Sequence, residues 1–285
     1  MKSLGLIDGK IIDLNENAVP LEDRGHQFGD GVYEVTKVYN GKCFALKPHL
    51  DRLYRSLREI RIPATYTPDE LAGFHELLIK ESGITEGGVY LQITRGTAPR
   101  THGFPEQMIP RLTMSIRPAG AGNKELWESG VEVALIPDER WLRCDIKSLN
   151  LLPNILGKQK AKEAGCFEGV MIRDEWITEG TSSNFFVVKD GVLWTHPSSN
   201  LILKGITRTI ILERLVIDLN LHVLEKPFSV DFLRNVSEAF LCGTTTEIMP
   251  VKKAGGIVIN NGNVGPITRS LQTAYQELID KECLR

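Results

Sequence analysis

EGTSSNFFVVKDGVLW, residues 179–194, decides how the second half of the chain folds. Phe185, Phe186, Val187 and Val188 put apolar side chains on successive positions, so the strand Asn184–Val188 is apolar on both faces and belongs inside a covered sheet. Glu179 stands just ahead of that strand, with Gly180, Thr181, Ser182 and Ser183 between. A carboxylate so placed can be held at the edge of the interior, pairing with a ring nitrogen or a cation, or it can be a solvated turn residue. The second strand of the stretch is Val192–Trp194.

Working outward, strands are expected at Val131–Ile136 and Gly169–Ile172. Helices are expected near 154–164 and 206–219, with a last one from about Thr268 to Asp280. Toward the N terminus, Leu4 to Ile7, the Asp8-Gly9 turn and Ile11-Ile12 predict a hairpin. Val32 to Tyr39 predicts a strand that turns at Asn40-Gly41. Pro48 opens a helix with Leu50, Leu53, Leu57 and Ile60 at helical spacing, and Thr67-Pro68-Asp69-Glu70 is a capping box opening another, which Gly83 ends. Strands follow at Val89–Thr94 and Leu112–Ile116. RPAGAGNK, residues 117–124, has the composition of an exposed connection. The fold class is therefore α/β (α+β), with one domain at 1–118, a linker at 119–125 and a second domain at 126–285.

Composition narrows the function. The chain has 285 residues, 42% of them hydrophobic and 25% charged, as in an ordinary globular protein. A net charge of -2 directs it neither to nucleic acid nor to an anionic membrane surface. MKSLGLIDGK at the start has no apolar run suited to a signal peptide, and no stretch approaches the roughly 20 apolar residues needed to cross a bilayer. Cys43, Cys144, Cys166, Cys242 and Cys283 are odd in number and scattered, with no CxxC spacing. That argues against a disulfide framework and against a zinc or other metal site, and for a reducing, cytoplasmic setting.

Several segments have the chemistry of a site. In LKGITR (203–208), Gly205 permits close approach, and the N–H groups of Ile206 and Thr207 are free donors at a helix start, where a phosphate or only water can sit. Gly243-Thr244-Thr245-Thr246-Glu247 follows the apolar run Ala239–Cys242 and is a second candidate anion cup, or a plain Thr-rich turn. RGTAPRTHGFP (95–105) carries Arg100 and His102, donors suited to a carboxylate, or a basic surface loop. No pattern singles out Lys147 among the lysines.

Together these segments resemble one family. RGHQFGDGVYE (24–34), HLDRL (49–53), RGTAPRTH (95–102), DIKS (145–148), EGTSSN (179–184), LKGITR (203–208) and GTTTEIMP (243–250) occur in the order found in fold-type IV pyridoxal 5'-phosphate enzymes. Within them the similarity is greatest to the D-amino acid aminotransferase branch. The resemblance implies two domains with the cofactor in a cleft between them. It implies that Lys147 forms the Schiff base to pyridoxal phosphate and shuttles the proton, and that Glu179 pairs with the pyridine nitrogen. Arg52, Ile206, Thr207 and Thr244 would bind the phosphate, Leu203 would pack on the ring, and Tyr33, Arg100 and His102 would trap the substrate carboxylate. In relatives of this kind Arg100 and His102 reach across from a neighbouring subunit, which implies a homodimer. The implied reaction is transamination between D-amino acids, D-alanine and D-glutamate foremost, and 2-oxo acids.

Two positions depart from the pattern. Thr181 replaces a common serine, and Gly243 replaces a hydroxyl residue; with backbone donors kept, only modest changes in cofactor affinity are expected. The alternatives inside the family are a branched-chain L-amino acid transaminase, an (R)-amine transaminase and aminodeoxychorismate lyase. RGTAPRTH, as a carboxylate trap, favours D-amino acids. A non-catalytic carrier or dimeric scaffold would have no reason to keep both Lys147 and Glu179.

Overall fold

Asp8 and Gly9 both take positive φ, 46° and 86°, the geometry of a two-residue hairpin turn. They join β1 (Leu4–Ile7) to β2 (Lys10–Ile12). The computed structural model describes residues 2–119 and 124–284. After the short helix α1 (Arg24–Phe28) come β3 (Gly31–Tyr39) and β4 (Lys42–Cys43), joined through Asn40 and Gly41 at φ 48° and 73°. Helices α2 (Leu46–Glu59) and α3 (Pro68–Ser82) precede β5 (Gly87–Thr94) and β6 (Arg111–Pro118). The sheet order is β2-β1-β6-β5-β3-β4, antiparallel throughout. Its core joins Leu50, Leu53 and Leu57 of α2 and Leu71 and Leu78 of α3 to Val32, Leu91 and Leu112 of the strands. The Thr67–Glu70 capping box is present in both directions, and Gly83 ends α3 at φ 65°.

The second unit holds a mixed sheet. Its elements are α4 (Lys124–Ser129), β7 (Val131–Pro137), α5 (Leu152–Glu163), β8 (Glu168–Arg173), β9 (Trp176–Gly180), β10 (Asn184–Lys189) and β11 (Val192–Thr195). Then come α6 (Ile206–Ile210), a π-helical turn at 211–215, α7 (Val216–Asp218), β12 (His222–Glu225), β13 (Glu238–Gly243), β14 (Glu247–Ala254), β15 (Ile257–Val258) and α8 (Pro266–Ile279). The order is β12-β11-β10-β13-β14-β7-β8-β9, with β15 on β14. β10 lies inside this sheet, and Asn184 through Val188 are all buried, as a doubly covered strand requires.

The division of the chain is not a single cut. The first unit comprises Met1–Ala121, Ile146–Asn150 and Ile279–Arg285, and the second Gly122–Asp145 and Leu151–Leu278. Two stretches of the expected 126–285 domain thus belong to the first unit, and much of the expected 119–125 linker, residues 120–123, lies outside the described residues. Backbone pairing is the reason for the first stretch. β4 covers only Val38 and Tyr39 of β3, so the other end of that edge is open to a partner. The open end takes Tyr33 N–H to Lys147 O and Leu149 N–H to Gly31 O, both 3.0 Å, and Ile146 enters the first core. Among the described residues no helix is long and apolar enough to cross a membrane.

Candidate active site

Lys147 owes its place to that edge pairing. Its N–H donates to Ser56 Oγ at 3.3 Å, and its Nζ lies 4.2 Å from the centroid of the Tyr33 ring. Among the described residues no carboxylate is within ion-pair range of this half-buried lysine. Tyr33 also stacks on Tyr90, centroids 5.7 Å apart. The next residue of β3, Glu34, faces the other way, as strand alternation requires. There it is buried and meets His49 and Arg52, one helical turn apart on α2: His49 Nδ1 lies 2.8 Å from Oε2, and Arg52 Nε and Nη2 donate at 2.7 and 2.8 Å. Burial works to raise the Glu34 pKa, but the charge and hydrogen bonds of Arg52, with those of His49, overcome it and hold it to about 2. Arg52 is thereby rigidly placed. Sequence reasoning missed Glu34 and the His49 side chain, although HLDRL shows the two α2 residues at i and i+3.

Arg100 and His102 lie on an exposed loop of the same unit, and both contact the ring of Phe28. The structure brings these two together. Tyr33 makes its ring contacts with Tyr90 and Lys147 instead.

In the second unit Glu179, at the end of β9, is buried. Its carboxylate accepts from Arg140 Nη1, from Asn184 Nδ2 at 2.9 Å and from Leu203 N–H at 3.1 Å to both oxygens. Burial pushes its pKa up to about 7 against the pull of Arg140 and the Leu203 N–H. Arg140 in turn grips Asp138 through Nε at 2.9 Å and Nη2 at 2.8 Å, while Arg173 and the Thr178 hydroxyl also donate to Asp138. Burial opposes the Asp138 charge, and the Arg140 and Arg173 contacts overcome it, holding its pKa to about 2. Arg140 is the group that lets Glu179 be buried at all, and nothing in its local sequence marked it.

Asn184 reaches both Glu179 and Leu203 O, at 2.9 Å each, so it ties the start of β10 to the 203–207 segment. A Cβ on Gly205 would stand 2.2 Å from Asn184 Oδ1, so a larger residue there would displace the Asn184 side chain that makes this tie. Ile206 and Thr207 then open α6 and are buried; their N–H groups belong to its first turn and have no intrahelical acceptor. The Thr207 hydroxyl lies 3.3 Å from Tyr275 OH. Thr244 is half-buried in the three-residue turn between β13 and β14.

The expectation for Thr181 needs correcting. Its N–H is used by Gly169 O at 2.9 Å, and its hydroxyl donates to buried Glu168, as do Ser182 at 2.9 Å and Ser183 at 3.4 Å. Thr181 therefore offers no spare donor to a cofactor; its role is to hold the turn.

Residues 31–254 match the family model for class IV amino-transferases. The D-alanine aminotransferase of Bacillus licheniformis is 46% identical over 277 residues, covering 97% of each chain. That of Staphylococcus haemolyticus is 42% identical over 274 residues, covering 96% of this chain and 97% of its own. Among solved structures, the branched-chain amino acid aminotransferase of Escherichia coli matches with a TM-score of 0.90 at 27% identity, covering 98% of this chain and 95% of its own. The 4-amino-4-deoxychorismate lyase of Pseudomonas aeruginosa matches at 0.84 and 28%, covering 96% and 98%. The chain belongs to the class IV aminotransferases, pyridoxal phosphate enzymes of fold type IV.

Proposed function

We propose that this enzyme transfers amino groups between D-amino acids, D-alanine and D-glutamate foremost, and 2-oxo acids, as a cytoplasmic homodimer using pyridoxal 5'-phosphate. Kinship supports the substrate class: relatives at 42–46% identity over nearly the whole chain are D-alanine aminotransferases, whereas the branched-chain enzyme shares 27%. The observation that carries the chemistry is the buried Glu179 carboxylate. It is held in place by three donors yet pushed up toward neutral pH by burial, so a positively charged nitrogen beside it would complete its surroundings.

The residues present fit the cofactor. Among the described residues Lys147 has no carboxylate competing for its amine, Arg52 is locked by Glu34, and the α6 N-terminus offers N–H groups to an anion. Bound pyridoxal phosphate supplies the electron sink for the negative charge that develops at the substrate Cα. In this reading Glu179 binds the pyridine nitrogen and keeps it protonated. Lys147 Nζ anchors the cofactor and moves the proton off and back onto the substrate. Arg52, Ile206, Thr207 and Thr244 bind the phosphate, and Leu203 covers the ring. Tyr33, Arg100 and His102 bind the substrate carboxylate, which sets the face on which the Cα–H meets Lys147 and so the D configuration.

A panel of D- and L-amino acids with pyruvate and 2-oxoglutarate tests the reading. D-alanine and D-glutamate should be turned over far faster than L-valine or L-leucine. A preference for the L-amino acids, or pyruvate release with no acceptor consumed, would overturn the substrate assignment.

A further inference from the structure

The ring of Phe28, the last residue of α1, is shared by three side chains. The Arg24 guanidinium carbon lies 4.9 Å from its centroid, that of Arg100 4.8 Å, and the His102 ring 5.7 Å at a tilt of 59°. Arg100 and His102 are exposed, and among the described residues neither pairs with a carboxylate. Left to themselves, long side chains on a loop tip would sample many rotamers.

The loop under them is tied down. Buried Arg24 donates through Nη1 to the carbonyl of Thr101, the residue between them, at 2.6 Å, and through Nε to Asp30 at 2.8 Å. Asp30 is also gripped by Arg95 Nε and Nη2 at 2.8 and 2.9 Å. Arg95, itself fully buried, donates on to Arg61 O and Ile60 O and lies 3.7 Å from the Phe104 ring. Arg100 and His102 therefore straddle a fixed carbonyl and rest against one aromatic ring. The ring face attracts a cation without using any of its N–H donors, which stay available to a ligand.

We propose that Phe28, seated by Arg24, is a positioning residue that sets Arg100 and His102 in the orientation that receives the substrate carboxylate. This rests on the reading of Arg100 and His102 as the carboxylate trap. Phe28 acts on binding of any substrate that carries the carboxylate, not on the chemistry at Cα.

The test is a double-mutant cycle on the holoenzyme, comparing Phe28→Leu, Phe28→Tyr, Arg100→Ala and Phe28→Leu/Arg100→Ala. The readouts are KM and kcat for D-alanine, the inhibition constant of propionate, the cofactor absorption spectrum and Tm. Loss of an exposed cation–π contact is expected to raise KM and the propionate constant in parallel by about two- to fivefold. kcat should stay within about twofold and the spectrum unchanged, and Phe28→Tyr, which keeps the ring, should behave as wild type. In the Arg100→Ala background, Phe28→Leu should add less than it does alone. Fully multiplicative penalties, or a fall in kcat without a change in KM, would show a general structural role and overturn the proposal. A silent Phe28→Leu beside a damaged Arg100→Ala overturns the role of Phe28 alone, while silence in both overturns the carboxylate reading with it. Should Phe28→Leu not fold, the same cycle with Arg24→Lys, which removes the donor to Thr101 O, decides by the same comparison.

Discussion

Lys147 and Glu179, proposed for opposite tasks, sit in opposite surroundings. Lys147 sits half-buried over the Tyr33 ring with no carboxylate in ion-pair range among the described residues, so its amine is not committed elsewhere. Lys147→Ala is expected to abolish turnover. Borohydride reduction of the native holoenzyme followed by peptide mapping should place the cofactor label on Lys147; a label on Lys204 or Lys158 would refute the assignment. Glu179 is buried beside Arg140; in the proposed role, a carboxylate there would keep a pyridinium charged and an amide would not. Glu179→Gln should lower kcat on the order of 100-fold while changing KM far less, because the lost stabilisation belongs to the transition state. An unchanged kcat would reduce Glu179 to a partner of Arg140.

At the level of elements, the loop of residues 96–105 and helix α3 depend on single backbone facts. Gly96 has φ 90°, and a Cβ on it would stand 2.0 Å from the Ile109 carbonyl oxygen, so the loop closes only with glycine at its base. Gly96→Ala must strain or shift backbone, at a cost of about 1–3 kcal/mol or more. It should raise the KM for D-alanine along with lowering Tm, since Arg100 and His102 ride on the displaced segment. Thr67→Ala, by contrast, removes the α3 capping box, which makes no hydrogen bond to that loop among the described residues. About 1 kcal/mol of stability should be lost with kcat and KM unchanged. Denaturant titration and steady-state kinetics on the two variants separate these effects.

For the whole molecule, each unit carries a buried carboxylate held ionised by arginine: Glu34 in the first and Asp138 in the second. Each has a folded pKa of about 2, against ordinary values of 4.5 and 3.8. A depressed acid binds fewer protons folded than unfolded, so its contribution is full above the ordinary pKa and is lost as pH falls through the folded one. Each contributes on the order of 3 kcal/mol. His75 acts the same way at higher pH: burial pushes it down to about 4 from 6.5, so its contribution begins to fall below about pH 6.5 and levels off near 4. Glu179, pushed up from 4.5 to about 7, works against His75 over nearly the same range, so unfolding free energy followed by urea titration should change little from pH 6.5 to 4.5 and decline toward pH 2. His75→Gln should leave the Glu179 contribution uncompensated, so that stability rises as pH falls from 7 to 4.5, and Glu34→Gln should flatten the decline toward pH 2. A single decline between pH 4.5 and 3.8 in the wild type would contradict this account.

Local pattern alone determined most of the elements. The Asp8-Gly9 and Asn40-Gly41 turns, the Thr67 capping box, the Gly83 stop and the doubly apolar Phe185–Val188 strand each specify their geometry within a few residues, because turn dihedrals and alternation are short-range. The ordered motifs were likewise enough to indicate the family. β9 and β12 were not legible, since Trp176–Gly180 and His222–Glu225 are short and become strands only by pairing with β8 and β11. Tertiary structure alone decided that Lys147 leaves the fold of its chain neighbours for the open edge of β3. It alone found Arg140 for Glu179, Glu34 for Arg52 and Phe28 for Arg100, partners 39, 18 and 72 positions away. A buried charge must be satisfied by whatever group packing brings within hydrogen-bond reach, and sequence distance places no limit on which group that is.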